Sequence, residues 1–240
     1  MPLKHELENT GNWLFRYRSY LPFLMLPFLI YFIKYSSIQH LHNYFLLAGI
    51  IISYFGEFIR IVTIAFIPMG TSGRNYKGQF ARSLNTTGMY SIVRHPLYLG
   101  NFFILLGPCI YAGNSYLIIL YILIFWLYYE RIMYAEESFL INKFRDEYES
   151  WSSVVPAIVP SLKYYVSPKG YFSLTKVLER EYTGICGVTF IYILLIIIRN
   201  YIFGVEKLIS APLFVILIFN TFLYISLRTI KKLKRKHLKN

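Results

Sequence analysis

Apolar residues in this chain gather into long blocks rather than recurring at helical spacing, and polar stretches separate the blocks. The first block, about residues 20–33, is interrupted by Pro22 and Pro27 and predicts a short, kinked or tilted membrane span. The second, about 44–67, is long enough as a helix to cross a hydrocarbon core of about 30 Å. Residues 68–93 are polar, rich in Gly, Ser, Thr and Asn, and carry Arg74, Lys77 and Arg82; they read as a loop. Two further blocks, 97–111 and 115–134, are joined by Ala112-Gly113-Asn114, which predicts a tight helical hairpin. Residues 135–182 then turn polar and amphipathic, with Pro156, Pro160 and Pro168. Blocks at 182–203 and 208–227 close the chain, and the short connector Gly204-Val205-Glu206-Lys207 makes them an antiparallel hairpin.

The pattern predicts an all-α, polytopic integral membrane bundle of about six transmembrane helices, with a cytoplasmic loop and an amphipathic segment forming a pocket. Three parts are expected: residues 1–43 with the first span, a core over 44–165, and 166–240 with a linker, the last hairpin and a basic tail.

Composition sharpens this picture. Of 240 residues, 56% are hydrophobic and 15% charged, whereas a soluble domain carries about 25% charged residues. Long apolar blocks exclude a pair of soluble domains. Lys and Arg number 25 against 12 Asp and Glu, and much of the excess lies in the last residues, "RTIKKLKRKHLKN". Following directly on an apolar block, that run reads as a juxtamembrane segment at an anionic cytoplasmic leaflet, not as a nucleic-acid tail. The positive-inside rule then puts both termini, the 68–96 loop and the 135–182 segment in the cytoplasm. The opposite side receives little beyond Lys34, His40, His42, Glu206 and Lys207. Cys109 and Cys186 lie in apolar stretches without metal-ligand spacing, so both are expected to pack and no metal site is expected. The N-terminus lacks a signal-peptide pattern, and insertion is expected to be driven by the helices themselves.

Three stretches carry candidate chemistry: "LNTTGMYSIVRHPLYLG" (84–100), "ERIMYAEESFL" (130–140) and "FRDEYESWSSVVPAIVP" (144–160). Pro96 suits the first turn of a helix, where its missing N–H costs nothing. Such a start offers free N–H groups and partial positive charge to an anion. Arg94 and His95 sit at the same end, with Tyr98 as an aromatic wall and Gly100 leaving room for close approach. Glu136 and Glu137, expected at the end of the other hairpin arm, face that start. A helix start that holds a carboxylate and a carboxylate that holds an ammonium together suit an amino-acid moiety. Glu57 and Arg60, three apart on one helical face, predict a mutual pair facing the bundle near a lipid entrance. Asn85-Thr86-Thr87 fits a glycosylation pattern, but its expected cytoplasmic side argues against use.

The spacing Gly88-x-Tyr90, Arg94-His95-Pro96-x-Tyr98-x-Gly100, Glu136-Glu137-x-x-Leu140, Phe144, Glu147-Tyr148 and Trp151 resembles the isoprenylcysteine carboxyl methyltransferase family. The related phosphatidylethanolamine N-methyltransferases share the two central motifs. The resemblance spans roughly residues 50–165. It implies an integral membrane enzyme that uses S-adenosylmethionine and methylates a membrane lipid or lipidated acceptor. It also implies cofactor binding by Arg82, Ser83, Leu84, Asn85, Tyr90, His95, Pro96, Leu97, Tyr98 and Glu136, with Asn75 and Gln79 within reach; Arg94, Gly100 and Glu137 join them from the reading of the helix start and the carboxylate pair. The family's acceptor-side arginine falls near Arg131. Arg131, His95 and Glu137 are therefore the catalytic candidates, and Glu57, Arg60 and Arg131 the acceptor-binding ones. Trp151 stands where Tyr is more usual, and the spans after residue 180 lie beyond the family's common core.

A sulfonium methyl is already activated, so its transfer needs chiefly an acceptor atom held in line. A carboxylate or phosphate oxygen needs no general base, whereas a hydroxyl or amine does. The sequence offers no dedicated base and favours an anionic acceptor. Two other classes stay open: an NADPH-dependent membrane reductase of the steroid-reductase type, against which Arg94-His95-Pro96 speaks, and a membrane adaptor without cofactor affinity.

Overall fold

The computed structural model describes residues 2–36, 42–68 and 79–237, and the elements found there are all helical. Helix α1 (Leu3–Tyr17) leads through a 3-10 turn (Arg18–Tyr20) into α2 (Leu21–Lys34). The long α3 (His42–Phe66) is followed by the hairpin α4 (Pro96–Tyr111) and α5 (Ser115–Phe144). A short α6 (Asp146–Ser152) precedes α7 (Leu174–Ile202) and α8 (Ala211–His237). Among the described residues, four helices are long and apolar enough to cross a membrane, α3, α5, α7 and α8, while α2 and α4 are shorter apolar helices. The chain is thus a polytopic helical membrane bundle.

Helix α1 has no counterpart among the expected spans. It is a surface helix whose Leu7, Gly11, Leu14 and Phe15 recur at the spacing of an apolar stripe. Gly11 lets it lie directly on the Arg131 carbonyl of α5, where a Cβ would collide. Two other helices outrun their apolar blocks. Helix α5 continues to Phe144, so Glu136 and Glu137 lie inside it, two turns before its end. The carboxylate pair therefore does not oppose the helix dipole, contrary to the expectation of a helix terminus. Helix α7 starts at Leu174, capped by the Ser173 hydroxyl accepting from the Lys176 N–H, and so carries Arg180 and Glu181 inside the helix.

Helices α3 and α4 run antiparallel and meet through glycines at seven-residue intervals, Gly56 against Gly100 and Gly49 against Gly107. Small residues let the two backbones approach, the usual solution where lipid offers no hydrophobic drive. Ser53 seals the same seam: its hydroxyl donates to the Ile104 carbonyl at 2.9 Å and lies 3.0 Å from Tyr192 Oη on α7. Gly100 thus serves the helix interface, facing Gly56 and Arg60, rather than a ligand.

The polar linkers are pinned to one another at the end where α4 begins. The Gly88 N–H donates to Val166 O at 2.8 Å, Arg94 N–H to Pro156 O at 2.9 Å, and Ser161 N–H to Ile92 O at 3.0 Å. Trp151 Nε1 donates to Tyr90 O at 3.1 Å. Gly88 holds φ at +63°, where a side chain would be strained. The prolines of 156–168 thereby fasten the loop before α4 rather than merely interrupting a helix.

Candidate functional site

Helix α4 starts at Pro96 with His95 as its N-cap residue. The imidazole is 7% exposed and stacks on Tyr98 at a centroid distance of 5.6 Å. Its Nε2 donates to Glu137 Oε1 at 2.8 Å, and its Nδ1 lies 3.6 Å from Glu136 Oε2. Arg94 Nη1 reaches Glu137 Oε2 at 3.4 Å. The proline-started helix and the helix bearing the glutamates therefore meet at one spot. Burial alone would disfavour the imidazolium, but hydrogen bonds to Glu136 and Glu137 outweigh it and hold the His95 pKa above the ordinary histidine value.

A cavity of about 840 Å³ opens beside this junction. Its mouth is formed by Gln79, Ser83, Leu84 and Asn85 of the loop, by Tyr90, Arg94, His95, Pro96, Leu97 and Tyr98, and by Glu136. Farther in, the walls change character. Leu26 and Leu29 of α2, Leu105 and Pro108 of α4, and Ile191 and Leu194 of α7 are apolar. From Pro96 to Pro108 the cavity follows α4 for a helical rise of about 18 Å. It is one space with a polar end and an apolar end.

Most of the sequence-derived candidates converge on this cavity, and a few do not. Arg82 is exposed and outside the lining. Glu137 stands just behind the wall, holding His95 and Arg94. Asn75 lies outside the described residues. Arg131 is exposed on α5, where its backbone supports α1, and its side chain does not line the cavity. The helical period explains this: Arg131 lies five residues before Glu136, an offset of about 140° around the helix.

Glu57 and Arg60 both line the cavity, but the expected mutual pair is not what holds Arg60. Arg60 donates from Nε and Nη2 to Glu181 at 2.8 and 2.9 Å, and from Nη1 to Asn101 Oδ1 at 2.6 Å. Glu181 is 1% exposed. The Glu57 carboxylate rests over Gly184 of α7, where a Cβ would collide with it. Glu181 and Asn101 escaped the sequence reading. The signal for Glu181 was a carboxylate next to a long apolar run, hidden because the apolar block alone sets the span's start one residue later.

Two atoms at the mouth are buried without a hydrogen-bond partner among the described residues, Arg94 Nε and Tyr148 Oη. Burial, with Glu137 close by, pushes the Tyr148 hydroxyl well above the usual tyrosine range. The unpartnered Arg94 Nε beside a helix start and the Glu136 carboxylate fits a ligand with a carboxylate and an ammonium.

Fold and site together define a polytopic membrane protein with a polar ligand pocket that opens into its apolar interior. The family model described as phospholipid methyltransferase matches residues 44–147. The chain is similar to the protein-S-isoprenylcysteine O-methyltransferase of Schizosaccharomyces pombe, 36% identical over 77 residues, covering 32% of this chain and 33% of the relative. Against the Rattus norvegicus protein of the same name, identity is 30% over 122 residues, covering 48% and 41%. The nickel-cobalt-cadmium resistance protein NccN of Alcaligenes xylosoxydans xylosoxydans is 31% identical over 110 residues, covering 44% and 51%. The chain spans about a third to a half of the length of these relatives. No solved structure matches it. The likeness to phospholipid methyltransferases thus covers residues 44–147, and the likeness to the isoprenylcysteine methyltransferases holds at the level of aligned sequence.

Proposed function

We propose that this chain is a membrane methyltransferase that binds S-adenosylmethionine at the polar mouth of the cavity and methylates a lipidated acceptor lying in the apolar part. The carrying observation is the junction of His95 with Glu136 and Glu137 at the head of a cavity that runs from polar groups into hydrocarbon. The relatives named as isoprenylcysteine O-methyltransferases favour a prenylated cysteine carboxylate as the acceptor.

The cofactor supplies a methyl group already activated on a sulfonium sulfur. The chain's own residues bind and orient. Glu136 is the partner for an ammonium, and Arg94 Nε with the α4 start is the partner for a carboxylate. Tyr90, Leu97 and Tyr98 wall the mouth, and Ser83, Leu84 and Asn85 close it from the loop. Both His95 nitrogens face carboxylates, so this residue shapes the mouth rather than taking a proton. A carboxylate acceptor would need no base, because its oxygen is already anionic and the cofactor would supply the methyl group in activated form. Apolar walls keep water from competing and hold the acceptor's tail.

The same reading sets the mouth on the cytoplasmic side, with both termini. Lys143 donates to Ala81 O, Lys176 to Ile67 O and Lys231 to Glu179 O, which sets basic side chains beside the loops and helix ends around the mouth, the side the positive-inside rule favours for the cytoplasm.

Protein purified into lipid nanodiscs tests the reading. S-adenosylhomocysteine is expected to bind and NADPH not to, and labelled methyl groups are expected to pass from S-adenosylmethionine to an S-isoprenylcysteine. Binding of NADPH alone, or label on no membrane lipid and no prenylated cysteine, would overturn it.

A further inference from the structure

The cavity carries four arginines, Arg18, Arg60, Arg94 and Arg180. Arg60 spends its donors on Glu181 and Asn101, and Arg94 faces Glu137. Arg180 has an interaction partner within the chain. Arg18 differs. It sits on the 3-10 turn between α1 and α2, before the segment matched by the family model. No carboxylate lies within ion-pair distance of it among the described residues.

Its position is nevertheless fixed. Nη1 donates to the Phe15 carbonyl at 2.5 Å, and the guanidinium carbon lies 3.7 Å from the centroid of the Phe15 ring. A guanidinium carries five N–H donors, so most of its hydrogen-bonding capacity remains unused in a cavity that it lines. Tyr98 and Tyr129 line the same cavity, their ring centroids 5.0 Å apart. On the other side, Phe23, Met25 and Leu26 of α2 begin the apolar wall. Arg18 thus stands where the polar mouth gives way to the hydrophobic interior. That is the place where the anionic head of a lipidated acceptor meets the methyl donor.

We propose that Arg18 is the receptor for the acceptor's anionic head and sets the enzyme's preference for a carboxylate over its uncharged counterparts. The inference rests on the methyltransferase reading above and gives Arg18 the role that motif spacing assigns to Arg131. Arg18 is suited to it on two counts. A ring-supported fork loses little entropy on binding a carboxylate. One carboxylate oxygen can take the charge-assisted hydrogen bonds while the other faces the methyl carbon. Methyl transfer then removes the negative charge, and the neutral ester loses its hold on Arg18, which favours product release.

The test compares wild type, Arg18→Gln and Arg18→Lys in nanodiscs with an S-isoprenylcysteine and with its methyl ester. Competitive binding in the presence of S-adenosylhomocysteine should favour the carboxylate at least tenfold in wild type. Arg18→Gln should abolish that preference and raise the acceptor KM at least tenfold, with S-adenosylhomocysteine affinity unchanged. Arg18→Lys, which keeps the charge without the fork, should fall between. An unchanged carboxylate preference in either variant overturns the role of Arg18 while leaving the methyltransferase reading intact. A wild-type protein that neither binds S-adenosylhomocysteine nor methylates the free acid overturns both. Loss of S-adenosylhomocysteine binding together with acceptor binding in both variants would make Arg18 a structural support for the mouth, and the proposal would fail on that outcome too.

Discussion

The family-matched segment, residues 44–147, and the flanks on either side of it build one cavity in different ways. The matched segment supplies α3, the loop, and the α4–α5 hairpin, and with them nearly all of the polar mouth: Ser83, Asn85, Arg94, His95 and Glu136. Its polar groups are held by short-range motifs, a proline-started helix and a carboxylate pair one residue apart. The flanks supply the apolar interior through α2 and α7, with a small number of charges set at the boundary, Arg18, Arg180 and Glu181. On the methyltransferase reading proposed above, the partners of the cofactor lie in the matched segment, while the flanks supply much of the wall around the acceptor.

The hardest way to break this comparison is to cut the tie between the two regions. Arg60 of α3 and Glu181 of α7 form a bidentate pair, with Glu181 almost wholly buried. Removing one partner strands the other charge. Arg60→Ala is expected to destabilise the bundle by about 3–5 kcal/mol in detergent unfolding titrations. A double change, Arg60→Met with Glu181→Leu, should recover most of that loss, because it removes both charges together. If Arg60→Ala unfolds like wild type, α7 is not anchored to the core through this pair.

A smaller effect is expected within the mouth. Glu136→Gln keeps the shape of the side chain and removes its charge. It should weaken S-adenosylhomocysteine binding at least tenfold, about 1.4 kcal/mol or more, by calorimetry on folded protein. The binding of an S-isoprenylcysteine to the apolar end should be nearly unchanged. Equal losses for both ligands would mean that the mouth and the interior are not separable.

The mouth was largely legible in the sequence because its parts are local. Pro96 announces its helix start, and Arg94, His95 and Tyr98 follow from that position. The glutamates were legible as a pair, although α5 runs past them and so the macrodipole argument for their purpose does not apply. Hydropathy finds apolar blocks and not helix ends, which hid the first two turns of α7 and with them Glu181. Helix α1 was hidden for the opposite reason: its apolar stripe is too sparse to stand out as a block. Arg18 lies in the turn after it, outside every apolar block and every motif. Its place in the cavity depends on α1 crossing α5 at Gly11, a contact between residues more than a hundred positions apart.

His95 gives a pH signature confined to the mouth. Its pKa in the folded chain lies above the ordinary value because the hydrogen bonds to Glu136 and Glu137 outweigh burial. The imidazolium therefore adds stability that is fully present below the unfolded pKa of about 6.5 and is lost as pH rises through the folded value. Unfolding midpoints of wild type should fall as pH rises through that interval, and His95→Gln should remove that component of the slope. Identical pH profiles for the two proteins would mean that His95 gains no proton on folding.

The smallest expected effect sharpens the comparison most. Arg131 lies inside the matched segment, near the position that motif spacing gives to the acceptor, yet its side chain is exposed and does not line the cavity. What supports α1 at this position is the Arg131 backbone carbonyl, which meets Gly11 and survives any side-chain change. Arg131→Ala should therefore alter stability by no more than about 0.5 kcal/mol and leave acceptor KM and cofactor affinity within about twofold of wild type, a change of about 0.4 kcal/mol. A tenfold rise in acceptor KM would move head recognition out of the flank and back into the matched segment, and the division of labour between the two regions would not stand. A silent Arg131→Ala beside an impaired Arg18→Gln would locate acceptor choice in a turn that lies before the matched segment begins. That turn is then the place to change when a different acceptor is wanted.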